Sequence, residues 1–280
     1  MKRRARTAIF DVASHGLLIL AAAVAIAPMA WLVCASFKDD ADFARHLFLP
    51  GDLSRLTLQN YVALFTRNPF LIWLINSVFL ASVQTVLVVV LSSLGGFGLA
   101  KYRFAGRKML IGVMIMTMLL PAQVLLPGGY ELMHQIGWLD TYSSIIVPGA
   151  TSVFGMFLFM QAMRGVPDEL LHAARVDGCS ELHIWWEIAL PIVRPMLGAF
   201  TLMTFLGSWN SFLWPQLMLQ DQGKYTLAIG LSNMMSIPEA GRSLGPLMAG
   251  TLLSVLPVMM LFFALQRDFV SGLASGAVKG

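Results

Sequence analysis

The sequence predicts an all-α membrane protein with six transmembrane helices, and three observations support this fold class. Of the 280 residues, 57% are hydrophobic and only 12% are charged, compared with roughly 45–50% and about 25% in ordinary soluble domains. The apolar residues form long continuous runs instead of the alternating strands of a β-barrel. The basic residues lie between these runs, which argues against a soluble enzyme or a nucleic-acid-binding protein.

Six segments contain no Asp, Glu, Lys or Arg and are long enough to cross a membrane. A helix rises about 1.5 Å per residue, so about 20 residues cross a hydrocarbon layer about 30 Å thick. A single continuous apolar run satisfies its own backbone hydrogen bonds at that depth only as a helix. The predicted spans are therefore about 14–36, 72–98, 109–127, 142–163, 197–219 and 247–266.

The basic residues also predict the orientation of the chain. Thirteen Lys and Arg residues fall in the N-terminal segment, the second and fourth loops and the C-terminal tail, whereas six fall in the other loops. The positive-inside rule then places both termini in the cytoplasm. The basic N-terminal residues followed by an apolar run resemble a signal peptide. However, the uncharged run at 12–37 is longer than the apolar core of about 7–15 residues in such a peptide. We therefore expect a retained first span.

The chain is predicted to form one transmembrane domain, residues 1–280, in which two connections are unusually long. Residues 38–67 are predicted to form an external loop, and residues 164–195 a cytoplasmic one. Because long connections in compact proteins tend to be functional, the cytoplasmic loop is the first candidate for a functional site.

The sequence lacks the groups that catalysis requires. It has no G-x-x-x-x-G-K-[ST] phosphate loop, no H-E-x-x-H motif and no Cys/His cluster, so we expect no catalytic residue, metal or cofactor. The predicted spans contain no charged residue, whereas a proton-driven carrier needs a titratable group within the membrane. The chain is therefore predicted to be a pathway energised by another subunit, and a stand-alone secondary carrier is the weaker alternative.

The cytoplasmic loop carries the signals of two consecutive helices. Pro167 suits the first position of a short helix, and Gly178 can adopt the left-handed conformation that ends it. Ser180 can cap a second helix, which Pro191 is predicted to stop. Four residues give the first helix an apolar flank: Leu170, Leu171, Ala174 and Val176.

The first of these helices must pack against something, since a helix of about ten residues is marginal alone. Two interpretations are open. The helix could lie on lipid headgroups, which Trp185 and Trp186 favour, or insert into a groove on a cytoplasmic partner.

The same segment resembles the EAA motif of binding-protein-dependent ABC importer permeases, which reads E-A-A, then D-G, then I-x-L-P. The corresponding residues are His172-Ala173-Ala174, Asp177-Gly178 and Ile188-Ala189-Leu190-Pro191, at matching spacing. The departure is His172, where the family usually has glutamate. A histidine here would need a different contact group on the partner.

Further segments resemble the carbohydrate-uptake branch of this family, whose type case is the maltose-type G-subunit permease. They include Asn60-Tyr61, Asn76-Ser77, Tyr102-Arg103-Phe104, Leu120-Pro121, Gly137-Trp138-Leu139-Asp140, Trp209-Asn210 and the C-terminal tail from Gly272 to Gly280. The resemblance covers essentially the whole chain.

The resemblance implies a type I ABC importer permease of the bacterial inner membrane that forms half of a sugar pathway. Its expected partners are a second, different permease, a dimer of ATP-binding subunits and an external solute-binding protein. The cytoplasmic loop would sit in a cleft of an ATP-binding subunit. The residues expected to couple the two proteins are Glu169, His172, Ala173, Ala174, Asp177 and Gly178.

Polar side chains within the predicted spans are the candidates for contacting the solute. They are Asn76, Gln123, Trp209, Asn210 and Ser211. Each could instead join helices by hydrogen bonds. An anionic solute, such as glycerol phosphate in a permease of the same fold, would favour cations facing the pathway, and the predicted spans contain none. The sequence therefore favours a neutral solute.

Overall fold

The computed structural model describes residues 2–39, 43, 46, 48, 55–235 and 244–277, with side chains described between positions 14 and 266. This part of the chain is helical and contains no β-strand, which confirms the predicted all-α class. Arg45, Arg242 and Lys279, which contribute to the predicted orientation, lie outside the described residues, as does the end of the tail at 278–280. The helices are α1 Lys2–Ser36, α2 Gln59–Arg67, α3 Phe70–Lys101, α4 Arg107–Met118, α5 Leu126–Gln135, α6 Ser143–Ile146, α7 Val153–Met163, α8 Asp168–Val176, α9 Glu181–Ile192, α10 Arg194–Trp209, α11 Leu213–Met218, α12 Leu227–Met235 and α13 Leu244–Ala277.

Three helices agree with the predicted first, second and sixth spans. The apolar stretches Ser14–Ser36, Phe70–Lys101 and Leu244–Gln266 are each long and apolar enough to cross a membrane. Each exceeds the length of about 20 residues that the hydrocarbon layer requires.

The third predicted span, 109–127, is not one straight helix. Helix α4 ends at Met118, and the helical segment Ala122–Gln135 leaves the break at 93° to α4. Pro121 lies at the break with an extended backbone, φ −63° and ψ 127°. Proline has no N–H to donate and disfavours helical geometry in the residue before it, which explains the bend.

The fourth and fifth predicted spans are also interrupted. Within 142–163 the structure has the single turn α6 and then α7, which at 11 residues is only about 16 Å long. Within 197–219, helix α10 ends at Trp209, and α11 begins at Leu213. The described residues thus contain three membrane-length helices, or up to five if each bent pair counts as one span. The count of six spans stays a prediction.

The cytoplasmic loop folds into two helices, with two differences from the sequence-based expectation. Pro167 precedes α8 as its N-cap, one position before the expected first turn. Ser180 caps α9 as predicted, since its Oγ accepts a hydrogen bond from the N–H of His183. Helix α9 ends one residue after Pro191, so the predicted stop is confirmed to within one residue. The helix widens into a π-turn at Ile184–Ala189 and runs on to Ile192, because a register shift of this kind accommodates a residue without an N–H.

Contacts divide the chain into two compact units. The first comprises Met1–Phe70 with Leu231–Leu256, and the second comprises Leu71–Gly230 with Pro257–Gly280. In the first unit, the Asn60 side chain donates hydrogen bonds to the carbonyl oxygens of Ser36 and Lys38, at 2.9 and 2.7 Å. These bonds hold α2 against the end of α1.

The second unit contains the main core and all the sites discussed below. Its largest cluster joins α3, α7, α8, α9 and α10 through buried residues that include Phe97, Phe159, Leu171, Ile184 and Phe200. Gly96 lets α3 and α7 approach closely, because a Cβ at this position would lie 2.5 Å from the Cβ of Phe159. Helix α8 is therefore packed on the same core as the long helix α3.

Candidate functional site

Helix α8 turns one face toward the core of its own chain. Leu171 is 1% exposed and Ala174 is 6% exposed, and both belong to the cluster that includes Met163 of α7 and Ile184 of α9. Ala174 is one of the expected coupling residues, but the structure places it on this inner face. Its small side chain therefore permits close packing within the chain instead of a close approach to a partner.

The opposite face of α8 is exposed and carries three of the six expected coupling residues. Glu169, His172, Ala173 and Val176 are all exposed, and their i, i+3, i+4, i+7 spacing places them on one side of the helix. We call these four residues the outer stripe. Val176 is 87% exposed, so the stripe offers a small apolar surface flanked by a carboxylate and an imidazole.

The C-terminus of α8 ends in a Schellman motif. The N–H of Gly178 donates to the carbonyl oxygen of Arg175 at 3.1 Å, and the N–H of Cys179 donates to that of Ala174 at 3.0 Å. Gly178 has φ +83°, which confirms the predicted left-handed conformation. A Cβ there would meet no atom within 4 Å, so the backbone conformation, and not crowding, favours glycine. Asp177 precedes it as the exposed C-cap.

A three-residue clamp joins the two helices of the loop to the end of α3. Arg175 donates to both carboxylate oxygens of Glu181, at 2.7 and 3.2 Å, and the Tyr102 hydroxyl donates to the same carboxylate. We call this the Glu181 clamp. The hydrogen bonds from Arg175 and then Tyr102 lower the pKa of Glu181, so the carboxylate is ionised at neutral pH. Fork-like bonds of this kind fix geometry as well as charge.

A second clamp holds the start of α8. Lys101, whose side chain is only 6% exposed, lies 2.7 Å from Oδ1 of Asp168 and also donates to the carbonyl oxygen of Val166. The hydrogen bond from Lys101 lowers the pKa of Asp168. Both ends of α8 are thus tied to the adjacent residues Lys101 and Tyr102 at the end of α3.

Sequence reasoning did not find these two clamps. In the sequence, Tyr102 belongs to the segment Tyr102-Arg103-Phe104 that resembles the carbohydrate-uptake branch, and this resemblance assigns it no contact. Its partner Glu181 lies 79 residues away along the chain. The Lys101–Asp168 pair is separated by 67 residues. Pairs this distant leave no local pattern in a single sequence, and only the packing of α8 against α3 brings them together.

A cavity of about 350 Å³ lies between the middle of α3, the turn before α7 and the end of α10. Its lining is neutral and includes Gln84, Ser208 and Ser211. Gln84 donates to the carbonyl oxygen of Gly149 at 3.3 Å and accepts from the Ser208 hydroxyl at 2.7 Å. We call it the polar cavity. Hydroxyl and amide groups with two aromatic neighbours, Phe154 and Phe200, are the kind of lining that an uncharged polar solute needs.

The structure does not bring the five expected solute-contacting residues together. Only Ser211 lines the polar cavity. Asn76 is buried and donates to the carbonyl oxygens of Gly223 and Tyr225. Gln123 is exposed in the break after α4, Trp209 stacks on Phe205, and the exposed Asn210 caps α10 through a bond to Leu206. Gln84, which the sequence also offers as a polar residue of the second predicted span, does line the cavity.

A third clamp lies on the side predicted to be external. Asp140 accepts hydrogen bonds from the backbone N–H groups of Gln220 and Asp221, at 3.0 and 3.1 Å, and forms an ion pair with Lys224. Desolvation opposes ionisation of Asp140, but the bonds from Lys224 and these two N–H groups outweigh it and lower its pKa to about 2. Asp140 also has φ +56°.

Asp140→Asn is expected to lower the free energy of unfolding by about 1 kcal/mol at pH 7, since the pair is partly exposed. Asparagine tolerates the same backbone conformation, so the change isolates the charge. A carboxylate with a depressed pKa stabilises the fold above its ordinary value of 3.8 and loses that contribution as pH falls through about 2. Thermal unfolding of the purified chain should therefore show a constant difference at pH 5–8 that shrinks as the pH falls from about 4 toward 2. A difference that stays undiminished over that range would contradict the electrostatic explanation.

No group of three potential metal-binding side chains occurs among the described residues. The arrangement presents an exposed helix face on one side of α8 and, behind it, two clamps and a shared core that lead to α3.

Comparisons with known proteins give a family and several relatives for this chain. Residues 89–274 match a family described as the binding-protein-dependent transport system inner membrane component. The chain is similar to the arabinooligosaccharides transport system permease protein AraQ of Halalkalibacterium halodurans, with 35% identity over 92% of both chains. It is also similar to the sn-glycerol-3-phosphate transport system permease protein UgpE of Salmonella choleraesuis, with 32% identity over 93% of this chain and 94% of that one.

The fold is similar to that of a chain in the crystal structure of a bacterial ABC transporter involved in the import of the acidic polysaccharide alginate. The TM-score is 0.82, with 23% identity, over 93% of this chain and 96% of the other. The likeness concerns the fold alone.

Proposed function

The chain belongs to the family of binding-protein-dependent transport system inner membrane components, and from this membership we propose that it is a permease subunit of an ATP-driven importer for an uncharged sugar. It forms half of the translocation pathway, and a second, different permease supplies the other half. The two face a dimer of ATP-binding subunits on the cytoplasmic side and a sugar-loaded binding protein on the external side. The chain acts as one transmembrane domain with both termini in the cytoplasm.

The chain itself does not hydrolyse ATP in this proposal. Its sequence has no phosphate-binding loop, so hydrolysis belongs to the ATP-binding subunits. The conformational change of those subunits must then reach the pathway through a contact surface on this chain.

The outer stripe is the observation that carries the proposal. A helix of only nine residues that exposes Val176 almost completely is suited to a groove on a partner, because apolar positions at helical spacing are how such grooves recognise a helix. Glu169, His172 and Ala173 flank Val176 on the same face. We assign this face to the cleft of an ATP-binding subunit, with Gly178 and Asp177 setting the angle between α8 and α9.

The inner side of α8 connects the outer stripe mechanically to the helices predicted to span the membrane. Leu171 and Ala174 pack in the core shared with α3, α7 and α10, and the clamps on Lys101 and Tyr102 tie both ends of α8 to α3. Movement of the outer stripe must therefore move the end of α3. Helix α3 also lines the polar cavity through Gln84, so the same helix contacts both sites.

The polar cavity supports a neutral sugar as the solute. Its lining residues carry hydroxyl, amide and aromatic groups and no charge, and hydroxyl-rich solutes are bound through such groups. AraQ, by its name, belongs to a transport system for arabinooligosaccharides.

A permease for glycerol phosphate is the second candidate, because UgpE is also a relative at 32% identity. A phosphate ester would be stabilised by Lys or Arg in the pathway. The polar cavity has neither among its lining residues, which favours the sugar.

Reconstitution of the complete transporter tests the choice between a neutral sugar and glycerol phosphate as the solute. The assembled complex with its cognate binding protein would be placed in vesicles, and ATP hydrolysis and solute uptake would be measured with neutral oligosaccharides and with sn-glycerol 3-phosphate. We expect stimulation by a neutral oligosaccharide and none by the phosphate ester. Stimulation by the phosphate ester alone would contradict the proposal.

A further inference from the structure

A second cavity, of about 720 Å³, lies beside the start of α4 and the end of α7 and is lined by four cations. They are Arg103 from the loop after α3, Arg107 and Lys108 from the first turn of α4, and Arg164 from the end of α7. No carboxylate is among its lining residues. We call it the basic cavity. It shares no lining residue with the polar cavity, and neither clamp of α8 uses its cations.

The four cations have no carboxylate partner among the described residues. Among the described residues, the Arg164 guanidinium donates to the amide oxygen of Gln161, at 2.9 Å, and makes a long contact with the sulfur of Met160. The Nε of Arg107 is buried and has no hydrogen-bond partner among those residues. Four like charges around one cavity repel one another, and a buried donor without an acceptor is costly. Both costs are relieved if an anion occupies the cavity.

The start of α4 adds to the preference for an anion. Arg107 is its first residue, and its N-cap Gly106, which lines the cavity with φ +85°, provides no side-chain oxygen for the first turn. The N-terminus of a helix carries a partial positive charge and unpaired N–H groups. Helix α4 has 12 residues, and the partial positive charge at its N-terminus adds to the charges of the four side chains that line the cavity.

The surroundings of the basic cavity are apolar on one side. Phe104 and Met109 line it and are 47% and 76% exposed. The exposed apolar face continues along α4 through Val113 and Met116. Helix α4 begins the third predicted span, so its exposed apolar side chains follow a segment predicted to lie in the membrane, and the cations lie at the predicted cytoplasmic end of that segment. An occupant with an anionic group and a long apolar part fits both sides.

We propose that the basic cavity binds the phosphate group of an anionic phospholipid, whose acyl chains lie along the exposed face of α4. Basic pockets at the ends of transmembrane helices bind anionic headgroups in this way. Inorganic phosphate would satisfy the cations but not the apolar face. The proposal concerns a lipid of the cytoplasmic leaflet and does not depend on which solute is transported.

Lipid binding to the purified chain tests the proposal. Native mass spectrometry in detergent would compare phosphatidylglycerol with phosphatidylcholine of the same acyl chains, and a separate arm would add inorganic phosphate. We expect phosphatidylglycerol to bind at least tenfold more tightly than phosphatidylcholine. Each cation removed should weaken phosphatidylglycerol binding about fivefold, so Arg107→Gln with Arg164→Gln should weaken it about 25-fold.

Arg67→Gln is the matched control, because it removes the same charge from an exposed residue outside the cavity. It should leave phosphatidylglycerol binding unchanged. Arg107→Lys keeps the charge and should retain most of the phosphatidylglycerol binding. This variant shows whether a change at position 107 by itself disrupts the fold. Equal binding of the two lipids, or an unchanged affinity in the double variant, would overturn the proposal. Saturable binding of inorganic phosphate that depends on Arg107, without any preference for phosphatidylglycerol, would assign the cavity to free phosphate and also overturn it.

Discussion

Ala173→Phe is expected to reduce ATP-driven uptake by the assembled transporter at least tenfold while the free energy of unfolding of the chain changes by less than about 0.5 kcal/mol. Ala173 lies exposed in the outer stripe, beside His172 and Val176. A large ring there fills the space that a partner's groove needs, but it displaces no buried side chain of its own chain, because Ala173 is exposed. Uptake into vesicles and thermal unfolding of the purified chain measure the two effects separately.

The neighbouring residue provides the control for this prediction. Ala174 is only 6% exposed and packs in the core with Leu171, so Ala174→Phe forces a large ring into filled space and should cost about 1–3 kcal/mol of stability. The two substitutions are chemically identical and lie on opposite faces of α8. Normal uptake by the Ala173→Phe transporter would show that the outer stripe is not the docking surface.

Glu181→Gln is expected to lower the amount of solute imported per ATP hydrolysed about fivefold. The substitution removes the charge that holds Arg175 and Tyr102 together but leaves the outer stripe intact. The ATP-binding subunits should therefore still dock and hydrolyse ATP, while less of their movement reaches α3. The cost in stability should stay below about 1 kcal/mol, because both partners of the ion pair are partly exposed.

Glu187→Gln is the matched control, because it removes the same charge from an exposed position on α9 outside the Glu181 clamp. It should leave the amount of solute imported per ATP hydrolysed unchanged. Tyr102→Phe combined with Glu181→Gln should be little worse than Glu181→Gln alone, since both act on one clamp. Full additivity of the two substitutions, or an unchanged import ratio in Glu181→Gln, would show that the clamp does not transmit the movement.

The long apolar helices could be predicted from the sequence, but the breaks in the others could not. A segment without charged residues is compatible with lipid, but the lack of charge does not show whether the helix through that segment is continuous. The predicted span 142–163 includes Pro148 and Gly149, and the structure interrupts the helix there, between the single turn α6 and α7, which begins at Val153. The π-turn at Ile184–Ala189 in α9 was likewise not predicted from the sequence.

The candidate site was predictable where its signals are local. The left-handed Gly178 and the cap at Ser180 each depend on a few neighbouring residues, and both are confirmed. The orientation of α8 was not predictable in the same way. Val176 was expected on the apolar flank with Leu171, whereas the structure buries Leu171 and exposes Val176. The clamps on Lys101 and Tyr102 depend on tertiary packing over many residues, which one sequence does not reveal.

Cross-linking from the outer stripe tests the central claim most directly. Val176→Cys would be introduced after replacement of the native Cys34 and Cys179 by serine, and the assembled transporter would be treated with a short thiol-reactive photo-cross-linker during ATP-driven uptake. Our account predicts a covalent product that joins this chain to an ATP-binding subunit. Cross-links to phospholipid alone, in a transporter that still imports its solute, would contradict it.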